Sequence, residues 1–202
     1  DEGDAFNEIL YTKTLNNLKS LNFFSNVESE TLNIENKKVI NITVEEKPTG
    51  EIMAGAGVGT GGGTFAFGVS ENNFLGRGIA FKSDVSVGKE SLKGLISLNN
   101  PNFKGSSRSL NASLESSVTD RLKNFGYKSN KTGFSIASGY EFYDDLYWNT
   151  GISSYVEKLD TDSTASASMK KQEGSYFDTF FNQSFSYDKR NQKYKTTDGF
   201  IS

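Results

Sequence analysis

The sequence contains few groups that could do covalent chemistry. Histidine and cysteine are both absent from its 202 residues, which excludes Ser-His-Asp and Cys-His catalysis, imidazole or thiolate metal ligands, and disulfide bonds. The pairs Asp144-Asp145 and Asp160/Asp162 suggest glycosidase or metal chemistry, but neighbouring residues of a strand point to opposite faces, and 160–164 lacks the glycine and the final glutamate of a calcium loop. We therefore interpret both pairs as polar turns or loops, and we predict no catalytic residues, no metal site and no cofactor.

A glycine-rich stretch, Gly55–Gly63, has the spacing Gly-x-Gly-x-x-Gly of phosphate-binding loops. Such a loop requires a helix directly after it, with a lysine or the helix N-terminus facing the anion. Instead, Thr64–Phe67 begins an alternating strand pattern, and the next lysine is Lys82. We therefore predict a tight hairpin and no small-molecule substrate.

The composition favours a β-rich protein. The chain has 20 Gly, 16 Phe and 9 Tyr against only 2 Pro, and no apolar run reaches the ~18–20 residues of a transmembrane helix. The formal charge is −3, so there is no general attraction to nucleic acid, and no nucleic-acid partner is expected. Because Asp1–Ala5 is the reverse of a signal-peptide start, we expect either a mature product or a piece of a longer protein.

The first 48 residues read as a helix followed by a hairpin. Apolar residues recur at helical spacing between Asp4 and Leu21, with Asp4 as the expected N-cap and Asn22 as a left-handed stop. Two strands are expected after it, at Val27–Asn33 and Val39–Val44.

After Gly50 the helical period gives way to two-residue alternation. Eight strand candidates follow, in the regions 52–59, 64–70, 79–87, 92–99, 110–118, 133–142, 147–156 and 177–188. We expect short connections at Asn100–Ser106 and Tyr143–Asp145, and longer ones at Thr119–Tyr127 and Lys158–Gly174.

The two faces of these strands differ in a way that favours a membrane barrel. One face is rich in Phe, Tyr, Leu and Ile, and the other in Gly, Ser, Asn and Thr, whereas a soluble sandwich usually exposes Lys and Glu. Several aromatic residues lie near strand ends, where membrane barrels carry aromatic girdles: Tyr140, Phe142, Tyr143, Tyr147, Trp148 and Tyr155. A soluble all-β binding module remains the alternative.

Five local strings resemble the BamA family of outer-membrane protein assembly factors, in the family's order. They are Leu18–Val27, Glu45–Gly50, Glu71–Gly78, Leu98–Phe103, and Ser186–Arg190 with Thr197–Phe200. The first is similar to a helix-to-strand junction of a POTRA domain, and the second to the link between the last POTRA domain and the barrel. The sister family of TamA translocation factors shares much of this pattern and stays open as an alternative.

The resemblance implies an all-β membrane barrel fragment of about eight antiparallel strands of a larger barrel, preceded by a small α+β POTRA remnant. Residues 1–48 would be the C-terminal part of a POTRA domain in the periplasm. Residues 49–202 would be the N-terminal half of the barrel in the bacterial outer membrane.

The resemblance also implies a non-enzymatic function: folding β-barrel proteins and inserting them into the outer membrane by strand templating at a lateral gate. The gate edge would be the first barrel strand, Ile52, Met53, Ala54, Gly55, Ala56, Gly57, Val58 and Gly59. A POTRA partner surface would comprise Val39, Ile40, Ile42 and Val44. Expected partners are nascent outer-membrane β-barrel proteins, accessory assembly lipoproteins and the lipid bilayer. A passive outer-membrane channel is the competing function, and glycines that merely relieve crowding are the competing interpretation of the first strand.

Overall fold

A computed structural model describes residues 3, 5–34, 37–59, 62–190 and 197–202. The chain divides into two compact units, Asp1–Gly50 and Glu51–Ser202. Among the described residues, none of the helices has the length and the apolar character needed to cross a bilayer.

The first unit begins with helix α1, Glu8–Ser20. Its N-cap is Asn7, whose side-chain oxygen accepts hydrogen bonds from the backbone amides of Ile9 and Leu10. The prediction of Asp4 as the cap is therefore wrong, because Asn7 satisfies the free amides of the first turn and the helix begins later; Asp4 itself lies outside the described residues. Asn22 adopts the expected left-handed conformation, with φ of 59°.

Two antiparallel strands complete this unit, β1 (Phe24–Ile34) and β2 (Lys37–Glu46), with Ser29 opposite Ile42. Helix α1 lies on one face of the pair. The Tyr11 hydroxyl hydrogen-bonds to the Ser29 hydroxyl, and the Lys38 ammonium lies 3.9 Å from the centroid of the Phe6 ring.

The second unit is an eight-stranded sheet in which every strand neighbours the next along the chain. All eight predicted segments are strands. Their bounds are β3 (Gly50–Gly59), β4 (Gly62–Phe74), β5 (Ile79–Gly88), β6 (Ser91–Asn100), β7 (Ser109–Arg121), β8 (Tyr127–Tyr143), β9 (Leu146–Thr161) and β10 (Gly174–Tyr187). Within the described residues the sheet has two ends, β3 and β10, which are not paired with each other.

The short connection predicted at Tyr143–Asp145 and the long one predicted within Lys158–Gly174 are confirmed, whereas the other two differ from their predicted lengths. The expected long loop at Thr119–Tyr127 is wrong, because β7 and β8 continue to pair as far as Arg121 and Tyr127, and only the short helix α2 (Leu122–Phe125) and Gly126 join them. The Asp120–Lys128 ion pair, at 3.2 Å, holds this extension. The connection predicted to be short, at Asn100–Ser106, is longer and contains a 3-10 turn, Phe103–Gly105.

The turns at one end of the sheet are bound to each other. Glu90 accepts a 2.5 Å hydrogen bond from Asn124, and the backbone amide of Asp162 donates to the carbonyl of Gly126 at 2.8 Å. The buried apolar side chains of the described residues, Leu159 and Ala165, lie at this end. Hydrogen bonds from the hydroxyl and the backbone amide of Thr164 lower the pKa of Asp162, so its carboxylate stays charged as part of this cap.

We predict that the sheet tolerates a methyl group at Gly94 but not at Gly133. A Cβ on Gly133 would overlap the Tyr155 ring and the Ser154 carbonyl, whereas one on Gly94 would have no atom within 4 Å. Gly133→Ala should therefore lower the free energy of unfolding by about 1–3 kcal/mol through overpacking. Denaturant titration of the full-length protein in lipid vesicles measures the change, with Gly94→Ala as the control. Equal stability of the two variants would contradict the prediction.

Candidate membrane face and edge strand

Strand register joins the apolar residues of seven strands into one continuous surface, the apolar face. Phe67 lies opposite Val85, Ile96 opposite Leu114, and Leu114 opposite Phe134. Its largest members are Phe65, Phe67, Phe81, Val85, Val87, Leu92, Ile96, Leu98, Leu110, Leu114, Phe134, Ile136, Ile152, Val156, Phe177, Phe181 and Phe185.

The apolar face is exposed rather than buried. Phe67, Ile96, Phe134 and Phe181 keep 53%, 48%, 43% and 65% of their surface accessible. A sandwich would bury these four side chains between two layers, but no second layer covers the sheet within the described residues. An exposed apolar surface of this extent, on a single antiparallel sheet, matches the outer wall of a membrane barrel.

The opposite surface, the polar face, carries small polar residues together with charges. Its charged members in the strand interiors are Lys82, Asp84, Lys93, Glu115, Lys131, Glu157 and Asp178. Several of these groups are paired. The Lys82 ammonium lies 3.2 Å from the Asp84 carboxylate, and the Lys131 ammonium lies 4.2 Å from the centroid of the Tyr155 ring. This composition is that of a barrel interior in contact with water.

Charged residues of the apolar face lie only at strand ends, within the described residues. Lys128 pairs with Asp120 at 3.2 Å and Lys158 with Asp160 at 2.9 Å, all at the end where the turns are bound together. Hydroxyls within the face pair with each other, as in the 2.9 Å contact between Ser154 and Thr179. Paired hydroxyls limit the cost of polar atoms in hydrocarbon.

Aromatic rings form a row at the other end of the apolar face. The Trp148 ring stacks on Phe185 with centroids 6.1 Å apart and meets Tyr140 edge-on at 5.6 Å. Two residues that the sequence placed in the aromatic girdle, Tyr147 and Tyr155, belong to the polar face instead, because strand alternation opposes them to Trp148 and Val156. Tyr155 covers Gly133 there.

The residues predicted for the gate edge form strand β3, which lies at one end of the sheet and pairs with β4. Every residue of the strand is exposed, including Ile52 at 75% and Val58 at 94%. Gly55, Gly57 and Gly59 have open space around them, since an added Cβ would meet no atom within 4 Å.

One β3 side chain reaches the neighbouring strand in a contact that sequence reasoning missed. The methyl group of Met53 lies against Gly68 of β4, beside the Asp84 carboxylate. Alternation alone could place Met53 and the glycines on one face, but the distance to Gly68 depends on the pairing of the strands.

The four residues predicted as a partner surface do not share a face. Ile40 and Ile42 lie opposite Thr31 and Ser29, on the side where α1 packs, and Val44 follows them by alternation. Val39 pairs with Leu32 on the other side. The four residues therefore divide between the two sides of the strand pair, because adjacent strand residues point in opposite directions, and their role in partner binding stays a prediction.

We predict that a charge is costly on the apolar face and tolerated on the polar face. Leu114 is 61% exposed and Glu115 follows it with the opposite orientation. Leu114→Lys should reduce the folding free energy in lipid vesicles by about 2–4 kcal/mol, if Leu114 lies near the bilayer centre. Glu115→Lys, the matched control, should cost much less. Denaturant titration of both full-length variants compares them, and equal costs would contradict the assignment of faces.

Comparisons with known proteins agree with this geometry. Residues 73–202 match the Omp85 superfamily domain, whereas no curated protein matches the chain. The chain is similar to the crystal structure of BamA from Haemophilus ducreyi lacking POTRA domains 1-3, with a TM-score of 0.71 and 21% identity over 97% of this chain. It spans 41% of the length of that chain, so the shared fold is part of a larger barrel. Because the family match covers more than half of its residues, the chain belongs to the Omp85 superfamily.

Proposed function

We propose that this chain is part of an assembly factor that folds β-barrel proteins and inserts them into the bacterial outer membrane. The superfamily comprises outer-membrane proteins of assembly and insertion. The observation that carries the proposal is the combination of an exposed apolar face with a glycine-rich strand, β3, at one end of the same sheet within the described residues. No side chain needs to perform covalent chemistry in such a function.

The edge of β3 that faces away from β4, once it is open, would supply the driving force for templating. Backbone N–H and C=O groups that face hydrocarbon without partners each cost several kcal/mol, on the order of a lost hydrogen bond or more. A client strand that pairs with this edge satisfies those groups, which is β-augmentation inside a bilayer. The edge from Ile52 to Gly59 would accept the client strand.

The glycines of β3 support an opening role rather than a packing role. Gly55, Gly57 and Gly59 have no neighbour within 4 Å of an added Cβ, so crowding within the described residues does not require glycine there. Glycine in a strand costs roughly 0.5–1 kcal/mol relative to alanine through backbone entropy. Three such residues make β3 easier to separate from a closing partner strand than its neighbours.

The two units would act in different compartments, the outer membrane and the periplasm. Residues 49–202 would form the N-terminal half of the barrel, and residues 1–48 the end of a POTRA domain in the periplasm. The outer edges of β1 and β2 could accept extended segments of nascent barrel proteins, and the exposed side chains Ile40 and Ile42, at 40% and 39%, offer apolar contacts to accessory lipoproteins.

We predict that proline at the centre of β3 reduces client assembly. Backbone N–H groups alternate between the two edges of a strand, so one of the variants Ala56→Pro and Gly57→Pro removes a donor from the free edge and the other removes one facing β4. The free-edge variant should lower the yield of folded client barrels in reconstituted vesicles by about tenfold. Ala56→Leu keeps its N–H and all three glycines of β3, and it serves as the control.

The proline variants must remain folded for this test to count. Heat-modifiable migration of the full-length protein reports whether the barrel is intact, and only intact variants are compared. Assembly at the normal yield by both intact proline variants would overturn strand templating at β3.

A further inference from the structure

Gly68 of β4 has a side-chain-sized space on the polar face that two other residues occupy. Gly68 is buried. A Cβ built there would lie 2.6 Å from Asp84 Oδ1 and 3.3 Å from Met53 Cε. The Asp84 carboxylate therefore overlaps the position of a Cβ at Gly68, and the Met53 methyl packs closely beside that position from the neighbouring strand β3.

Asp84 forms a fixed wall of this socket. It is the direct cross-strand partner of Gly68, and its Oδ2 pairs with the Lys82 ammonium at 3.2 Å. Its other carboxylate oxygen, Oδ1, faces the space above Gly68. A flexible thioether suits such an irregular gap, because methionine adjusts its three torsions to the available shape.

Beyond Met53, the polar side of β3 carries only glycines within the described residues. Gly55, Gly57 and Gly59 follow Met53 on this side and have no side chains with which to contact β4. On the opposite side, Ile52 and Val58 are 75% and 94% exposed. On the polar side, side-chain packing of β3 against β4 is therefore concentrated at Met53, near the start of the strand.

We propose that Met53 is the positioning residue that latches the edge strand to the barrel wall through the Gly68–Asp84 socket. The latch anchors the start of β3, and Gly55, Gly57 and Gly59, which follow on the same side, add no side-chain packing. The anchored start keeps the strand in register while the glycine-containing part opens. This role rests on the proposed templating function of β3, but the latch itself is a property of the strand pair.

Hydrogen exchange of β3 in the full-length protein in lipid vesicles tests the latch directly. Met53→Ala should make the amides of 51–54 exchange about tenfold faster, because the open state of this part of the strand becomes more populated when the packing is lost. Gly68→Ala should also raise exchange, since its new Cβ would overlap Asp84 Oδ1 at 2.6 Å and crowd the Met53 methyl at 3.3 Å, which disturbs both walls of the socket. Met53→Leu should retain most of the protection, and Val58→Ala is the matched control for a β3 truncation outside the socket.

The outcomes separate the latch from the function. If the β3 amides exchange at the same rate in Met53→Ala and in Val58→Ala, the latch is overturned, whatever the yield of folded client barrels. Faster exchange in Met53→Ala and Gly68→Ala, with strands β5 and β6 unchanged, would establish it. The proline variants of β3 test templating independently, so a failure of that function leaves the exchange result intact.

Discussion

Every backbone N–H and C=O group of a chain in hydrocarbon needs a partner within the protein, and this constraint organises the structure. A meandering antiparallel sheet meets it with short connections, since each strand pairs with the next. Because side chains of a strand alternate in direction, each residue belongs to one of two faces. The face in contact with lipid is rich in apolar residues, and the face in contact with water is rich in polar ones. Because the apolar surface points outward, the described residues have almost no buried apolar core beyond Leu159 and Ala165.

Glycine serves two different purposes in this sheet. At Gly133 and Gly151 neighbouring atoms occupy the position of a Cβ, so the closely packed middle of the sheet requires glycine. At Gly55, Gly57 and Gly59 the surrounding space is open, and glycine there weakens the strand without improving its packing. Glycine thus permits close packing in the middle of the sheet, whereas at the edge it weakens strand β3. The proposed opening of β3 depends on this difference.

The sequence was sufficient to predict the strands and their faces. The alternation of apolar and polar residues is a local property, and it is pronounced here because one face contacts lipid and the other contacts water. It was insufficient for features that depend on pairing. The extension of β7 and β8 to Arg121 and Tyr127 comes from cross-strand ion pairs outside the apolar band, such as Asp120–Lys128. The socket that receives Met53 depends on which residue of β4 stands beside it. The helix cap at Asn7 was missed because Asp4 and Asn7 are both good capping residues and only the helix start distinguishes them.

The accessibility of adjacent residues to lipid and to water tests the assignment of faces most directly. The chain has no cysteine, so single cysteines carrying a nitroxide label can be introduced one at a time in the full-length protein. The positions form three pairs of adjacent residues: Ile96/Ser97, Leu114/Glu115 and Ile136/Ala137. In vesicles, the first member of each pair should collide more with oxygen dissolved in the bilayer, and the second more with a water-soluble nickel complex. Equal accessibility within the pairs, or protection of the first members from both reagents as in a two-layered core, would contradict a lipid-facing wall.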